Sequence, residues 1–154
     1  MIYTIGYQQL TPDRLAELMR DLHIDLLVDV RSVPQSRKKG FSRKALTARF
    51  GVHYEWRGDV LGGRGDGPTL AGIVTLANEK RNVMLMCLEH LPGDCHRYHA
   101  IALPLAERHV ACWHVVDQEL VETAQVTRAI ASEAAGEGCV YSCASLPDWL
   151  ASLA

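Results

Sequence analysis

The sequence predicts an α/β domain in three layers, a mostly parallel sheet of about five strands between helices. Three observations predict it. Short apolar or β-branched runs alternate about five times with segments of helical spacing. One of those runs, IDLLVDV at 24–30, is apolar enough for a strand covered on both faces. The chain has 154 residues and 48% hydrophobic content, enough to bury a core. No repeat, linker or low-complexity tract divides it, so a single domain over 1–154 is expected, with right-handed crossovers.

The elements follow in order. IYTIGY (2–7) reads as a strand. Thr11 is placed to cap a helix with Pro12 in its first turn, and Leu15, Leu18, Met19 and Leu22 carry its apolar face to about Asp21. IDLLVDV is the second strand. RSVPQSRKKGFS (31–42) is a loop, and SRKALTARF (42–50) a short helix capped by Ser42. VHYEWR (52–57) alternates as a strand does. GDVLGGRGDGP (58–68) holds five glycines in eleven residues and reads as an irregular loop. Thr69 to Lys80 has helical spacing, and 82–89 is a strand. His96 to His109 reads as a helix with a kink or break at Pro104. A strand at 111–116, a helix from Gln118 to Ala135, and a short strand and helix at the end complete the pattern.

Whole-chain properties narrow the class. No apolar stretch reaches the ~18 residues that span a bilayer, so no membrane partner is expected. The first residues do not read as a signal peptide. Five cysteines, an odd number without regular spacing, do not form a secreted disulfide framework. A cytoplasmic protein with free thiols is expected. Net charge is −2, but Arg31 to Arg49 hold seven basic residues and no acidic one. A phosphate-rich partner, a nucleotide or nucleic acid, is one reading of that segment; a solvated basic loop is the other.

Parallel sheets bind ligands beyond the carboxyl ends of their strands. Four such ends carry polar or glycine-rich loops here, after Gly6, Asp29, Trp56 and Cys87. CLEHLPGDCHR (87–97) is the richest. Cys95, at a helix entry, would have a lowered thiol pKa. Glu89 or His96 would move protons, Arg97 would grip an oxyanion, and Asp94 would cap the helix. Three readings stand. One is an enzyme site acting on an anionic ligand. Another is a metal site using Cys87, Cys95, His96 and His99, although the spacing matches no standard zinc pattern. The third is a structural motif in which Cys87 is a small buried apolar residue.

Asp29 and Arg31 form a second candidate. A carboxylate ending an apolar strand needs a partner, with Arg31 or Arg97 in reach, and a buried ion pair ordering the loop is as good a reading as catalysis. Ser36, Arg37 and Lys38 would hold a phosphate, or belong to a solvated loop. Gly62 and Gly63 would let the backbone approach a ligand, but no nucleotide fingerprint occurs. No cofactor and no resident metal is read from these motifs. His23, His53, His109 and His114 are dispersed and read as surface or core residues, and Tyr54 and Trp56 as packing.

These residues carry a resemblance. TIGY at 4–7, DVR at 29–31, Pro34, Ser36, Phe41, Tyr54, LGG at 61–63 and C-x-E-x5-C-H-R at 87–97 stand in the order typical of the domain-of-unknown-function family numbered 488. The chain resembles that family over nearly its whole length. Many members have His-Ser after the first Thr-Ile-Gly, where Tyr7 and Gln8 stand here, so no role of that histidine transfers. The resemblance implies a compact α/β domain and no settled reaction. A looser similarity is to rhodanese-like domains, which also have a strand ending in Asp-x-Arg and a later cysteine loop before a helix. Their anion cradle is short. Here seven residues separate Cys87 from Cys95, and Arg97 lies ten after Cys87, so a C-x5-R cradle is absent. Cys87 occupies the strand-end position analogous to that of their cysteine, and this similarity leaves sulfur or acyl chemistry open there.

Overall fold

A computed structural model of the chain describes residues 1–64, 69–79, 81–117 and 119–135. Its centre is a six-stranded sheet in the order β3-β2-β4-β1-β5-β6. The strands are β1 (Ile2–Gly6), β2 (Leu26–Asp29), β3 (Tyr54–Trp56), β4 (Val83–Cys87), β5 (Cys112–Val116) and β6 (Glu119–Glu122). The first five are parallel to their neighbours, and β6 is antiparallel to β5. The α/β class and the mostly parallel sheet are therefore as the sequence predicts.

Local signals set the helix starts. In α1 (Pro12–Asp21) the Thr11 hydroxyl accepts the Arg14 N–H, and Pro12 occupies the first turn, where no donor is needed. In α2 (Arg43–Phe50) Ser42 accepts the Ala45 N–H. From β1 the chain passes over β4 to β2 and on to β3. It then returns to β4 and passes over β1 to β5. Crossovers of one hand that travel in opposite directions put their helices on opposite faces.

Strand alternation accordingly splits the core in two. Leu15, Leu18, Met19 and Leu46 from α1 and α2 pack on Tyr3, Ile5, Leu27, Met84 and Met86. The other face buries Ile2, Val28, Val83, Leu85 and Cys87 under α4 (Ala71–Asn78), α5 (Leu103–Glu107) and α6 (Thr123–Ala134). Each fully buried aliphatic side chain contributes roughly 1.5–3 kcal/mol. The parity matters for function: Cys87 faces the α5 side, where the rest of its motif lies.

Three expectations are corrected. The glycine-rich segment is not irregular throughout, because Gly58–Leu61 forms a single helical turn, α3, that buries Leu61. The helix expected from His96 starts as a π-helical turn, Arg97–Ala102, in which the Leu103 N–H bonds to the Tyr98 carbonyl, and α5 follows. Pro104 lies in the first turn of α5 and breaks nothing. The helix expected from Gln118 is preceded by β6. Val116 pairs with Glu119 and Asp117 takes a φ of 55° at the reversal; the open edge of β5 wins that stretch for the sheet. Glu122 then caps α6 reciprocally with Gln125. The strand and helix expected after residue 135, with Cys139 and Cys143, lie outside the described residues. No helix among the described residues is long and apolar enough to cross a membrane.

Candidate functional site

β2 ends in Asp29, wholly buried. Its carboxylate is satisfied on every side. Arg31 returns a two-pronged ion pair, Nε to Oδ1 at 2.8 Å and Nη2 to Oδ2 at 2.6 Å. The Arg31 N–H and the Tyr54 hydroxyl donate to the same carboxylate. The remaining Arg31 donor reaches the Tyr7 hydroxyl and the Phe41 carbonyl, both at 2.9 Å. Burial and the bond to Asp29 raise the Tyr54 phenol above its ordinary range. Asp29 thus pairs with Arg31 rather than Arg97, and the pair fastens the loop after β2 to β1 and β3.

Arg97 is the second buried cation, 0% exposed. Its Nη1 donates to the Glu89 carbonyl at 2.6 Å, its Nη2 to the His90 carbonyl at 2.9 Å, and its Nε to the Thr4 hydroxyl at 3.3 Å. The fork expected to grip an oxyanion is spent on the chain's own carbonyls. It pulls the loop after β4 onto β1, where Gly6 leaves room. A Cβ at Gly6 would overlap the Glu89 carbonyl oxygen. The helix entry also differs from expectation. Cys95, not Asp94, serves it, the Cys95 sulfur lying 3.5 Å from the Arg97 N–H.

The reactive side chains meet between these two braces. A one-turn 3-10 segment, Pro92–Asp94, folds the chain back so that Cys95 and His96 return to Cys87. Cys87 Sγ, Cys95 Sγ and His96 Nδ1 all lie within 4.8 Å of one another. His96 Nε2 faces the carbonyl oxygens of Val30 and Leu61 at 3.1 Å and 3.2 Å. Carbonyls only accept, so Nε2 carries a proton and Nδ1 is turned to the sulfurs. Gly63 packs on the same ring; a Cβ there would sit 3.0 Å from His96 Cγ.

The two thiols shift one another's proton affinity in opposite directions. The Cys87 S–H donated to Cys95, then His96 and Arg97, hold the Cys95 thiol far below its ordinary range. The same bond and burial push the Cys87 thiol up. The Cys95 sulfur raises His96. Burial, then Cys95, raises the Glu89 carboxyl. Glu89 Oε2 is buried and has no hydrogen-bond partner among the described residues.

A cleft of about 410 Å³ opens beyond the ends of β2, β3 and β4. Arg31, Cys87, Glu89 and His96 line it together with Ser32, Gln35, Gly63 and Arg64. Asp29, Cys95 and Arg97 stand behind that lining. Of the other sequence candidates, Gly62 packs on Gly58 and Ser32. Ser36 accepts the Lys38 N–H, Lys38 Nζ bonds to the Gln8 carbonyl, and Arg37 is exposed. His99 points to the Gly93 carbonyl at 2.6 Å and is not part of the sulfur cluster. His114 is a buried core histidine. Its ring bridges the hydroxyls of Thr4 and Thr123 at 2.7 Å and 3.1 Å.

In the sequence Thr4, Tyr7 and Arg64 carry no site role, and Tyr54 reads as packing. Thr4, Tyr7 and Tyr54 hold Arg97, Arg31 and Asp29 through contacts 24 to 93 residues apart in the chain. Only their place in the TIGY motif and in an alternating strand marked them. Arg64 adjoins LGG, and its place at the cleft follows from the α3 turn.

No curated protein and no solved structure matches the chain. The Cys87–Arg97 motif lies beyond the stretch that a family model covers. Residues 11–72, from the cap of α1 into the start of α4 and including the DVR and LGG motifs, match the family described as Domain of unknown function DUF488.

Proposed function

We propose that this chain is an enzyme-like domain that takes an anionic, phosphate-bearing ligand, a nucleotide or a nucleic-acid segment, into the cleft beyond β2, β3 and β4. One observation carries the reading. Glu89 lines that cleft with Cys87 and His96, and its buried Oε2 has no hydrogen-bond partner among the described residues. Such a group is costly in an inert fold. In a site it is an acid or base whose partner is the ligand.

The roles follow from position. Cys87, with Cys95 behind it, supplies sulfur at the floor. Glu89 holds or takes up a proton. His96, fixed by two carbonyls, orients its Nδ1 toward the sulfurs. At the mouth, Arg64, Ser32 and Gln35 offer a cation and hydrogen-bond donors to phosphate oxygens. Exposed Arg37, Lys39 and Lys44 extend the basic character along the segment after Arg31. Asp29, Arg31 and Arg97 hold the frame. The buried free thiols Cys87, Cys95 and Cys112 support a reducing, cytoplasmic setting.

A second reading is favoured by Arg97, whose whole fork is spent on loop carbonyls. In it the protein is a non-catalytic nucleic-acid or partner-binding module, and the cysteine motif only braces its loops. One set of measurements separates the two. Nucleotides and short labelled DNA and RNA are titrated at low salt against wild type, Arg64→Ala, the Arg37/Lys38/Lys39 triple alanine variant, and Glu89→Gln. Arg64→Ala should weaken binding about tenfold. Glu89→Gln should retain binding and stop any turnover found. Wild type that binds no phosphate-bearing probe at low salt would sink the proposal. A Glu89→Gln protein that melts early and still binds would favour the module.

A further inference from the structure

The geometry points to a divalent-metal site built from Cys87, Cys95 and His96, with zinc the best-suited ion and a fourth position open to the cleft beside Glu89. The inference adds a cofactor to the reading above, and rests on it only for the use of that open position.

The first argument is distance. The His96 Nδ1 lies 3.7 Å from Cys87 Sγ and 3.9 Å from Cys95 Sγ. All three donor atoms are within 4.8 Å of one another. A tetrahedral zinc ion held at roughly 2.3 Å by sulfur and 2.0–2.1 Å by nitrogen requires donor separations of roughly 3.5–3.8 Å. The two nitrogen–sulfur edges are already close to these values, and the sulfur–sulfur edge, within 4.8 Å, closes onto one ion by shortening up to about 1 Å.

The second argument is orientation. A histidine ligand is normally fixed by a hydrogen bond from its other ring nitrogen. His96 has two such bonds, Nε2 donating to the Val30 and Leu61 carbonyls. These come from the ends of β2 and α3, so the sheet edge itself aims Nδ1 at the sulfurs. Gly63 adds a contact that only a residue without a side chain permits.

The third argument is access. Cys87 and His96 line the cleft while Cys95 does not. An ion on these three ligands therefore has protein behind it and the cleft in front. Three protein ligands with an open fourth position are the pattern of a reactive rather than a structural zinc. Glu89 lines the same cleft, and its Oε2 has no hydrogen-bond partner among the described residues. It would receive a hydrogen bond from a water or ligand group on the metal, which accounts for a buried acceptor that has none from the described residues. The seven-residue spacing between the cysteines misses the usual zinc patterns because β4 and the Pro92–Asp94 turn, not a tight knuckle, bring them together.

The test uses the whole chain, stripped with chelator under reducing conditions and titrated with Co²⁺, followed by absorption and then by Zn²⁺ displacement. The expected result is one equivalent, with a thiolate-to-cobalt charge-transfer band and the intense visible bands of tetrahedral cobalt. Cys87→Ser and Cys95→Ser should each diminish that band and weaken zinc binding ~100-fold or more. Cys112→Ser should leave both unchanged. A wild-type titration without the charge-transfer band overturns the inference, whether or not the variants fold. So does a band that survives the double Cys87→Ser, Cys95→Ser change. Nucleotide binding by the stripped protein is read separately. Lost metal with retained nucleotide binding overturns the metal site alone, and the reverse overturns the ligand reading alone.

Discussion

Arg97 donates to the backbone carbonyl of Glu89 at 2.6 Å, while the Glu89 side chain lines the cleft. One residue therefore gives its backbone to the frame and its carboxyl group to the site. The position of that carboxyl depends on a wholly buried guanidinium rooted on the π-helical turn.

Arg97→Lys should unfold at lower urea than wild type, by about 3 kcal/mol, because an ammonium cannot serve two carbonyls and the Thr4 hydroxyl from one place. The loop after β4 should also exchange its amide protons faster. If the lysine variant loses less than about 1 kcal/mol, the brace assigned to Arg97 is wrong.

The ion pair of Asp29 and Arg31 makes a parallel case with a graded test. Tyr54→Phe removes a single hydroxyl, 2.8 Å from Asp29 Oδ2, and should cost about 1–2 kcal/mol. Arg31→Lys loses the two-pronged geometry and the bonds to Tyr7 and Phe41, and should cost more. Urea midpoints check the order. Equal costs would mean that the tyrosine, not the pair, holds the loop.

Much of the frame was legible locally. Thr11, Pro12 and Ser42 announce their helices through capping chemistry, and the apolar runs at 26–29 and 83–87 announce buried strands. The misses were decided by contacts the sequence does not print. Glu119 to Glu122 has helical company on its C-terminal side, yet the edge of β5 claims it. The π-helical turn carries Arg97 and Tyr98, both buried. In the site, the crowding of Cys87, Glu89, Cys95 and His96 was visible as composition. The division of labour was not, because Arg97 reaches Thr4 and the two carbonyls across strands, and His96 finds Val30 and Leu61.

Gly63→Ala tests the ring contact. The new Cβ would stand 3.0 Å from His96 Cγ, tighter than packed atoms accept, so the imidazole must shift by a few tenths of an ångström. The thermal midpoint should fall modestly while cobalt or ligand binding at the cleft falls about tenfold or more. Unchanged binding would show that the glycine serves the loop alone.

His114 gives the protein an acid limb. Arg97 donates to Thr4, whose hydroxyl donates to His114 Nδ1; Nε2–H donates to Thr123, whose hydroxyl donates to the Cys112 carbonyl. Burial, then the nearby Arg97 charge, lower the ring from 6.5 to about 3. Between those values unfolding takes up a proton that the folded ring refuses. The stabilising contribution is complete above the unfolded value and shrinks as pH falls, by up to about 1.4 kcal/mol per pH unit. His114→Gln should be less stable at neutral pH, with a flatter loss in mild acid. Urea midpoints across that range decide it, and an unchanged slope would mean that other groups carry the acid limb.

Glu89 carries the opposite sign. Its carboxyl is raised by burial and by Cys95, so the fold favours the protonated form. That preference stabilises the protein fully below the unfolded carboxyl range and is lost as pH rises through the folded value. Glutamine has the same shape and stays neutral, so Glu89→Gln should be more stable than wild type at neutral pH, and the gain should vanish in acid. The same change removes the proton carrier, so any turnover should disappear as stability rises. Such a trade is expected where a fold keeps an unfavourable group for its chemistry. Urea unfolding at several pH values, set beside activity, reads both halves. A variant less stable at neutral pH and unimpaired in the cleft would make Glu89 part of the frame instead, and the functional weight of the site would pass to the sulfurs and His96.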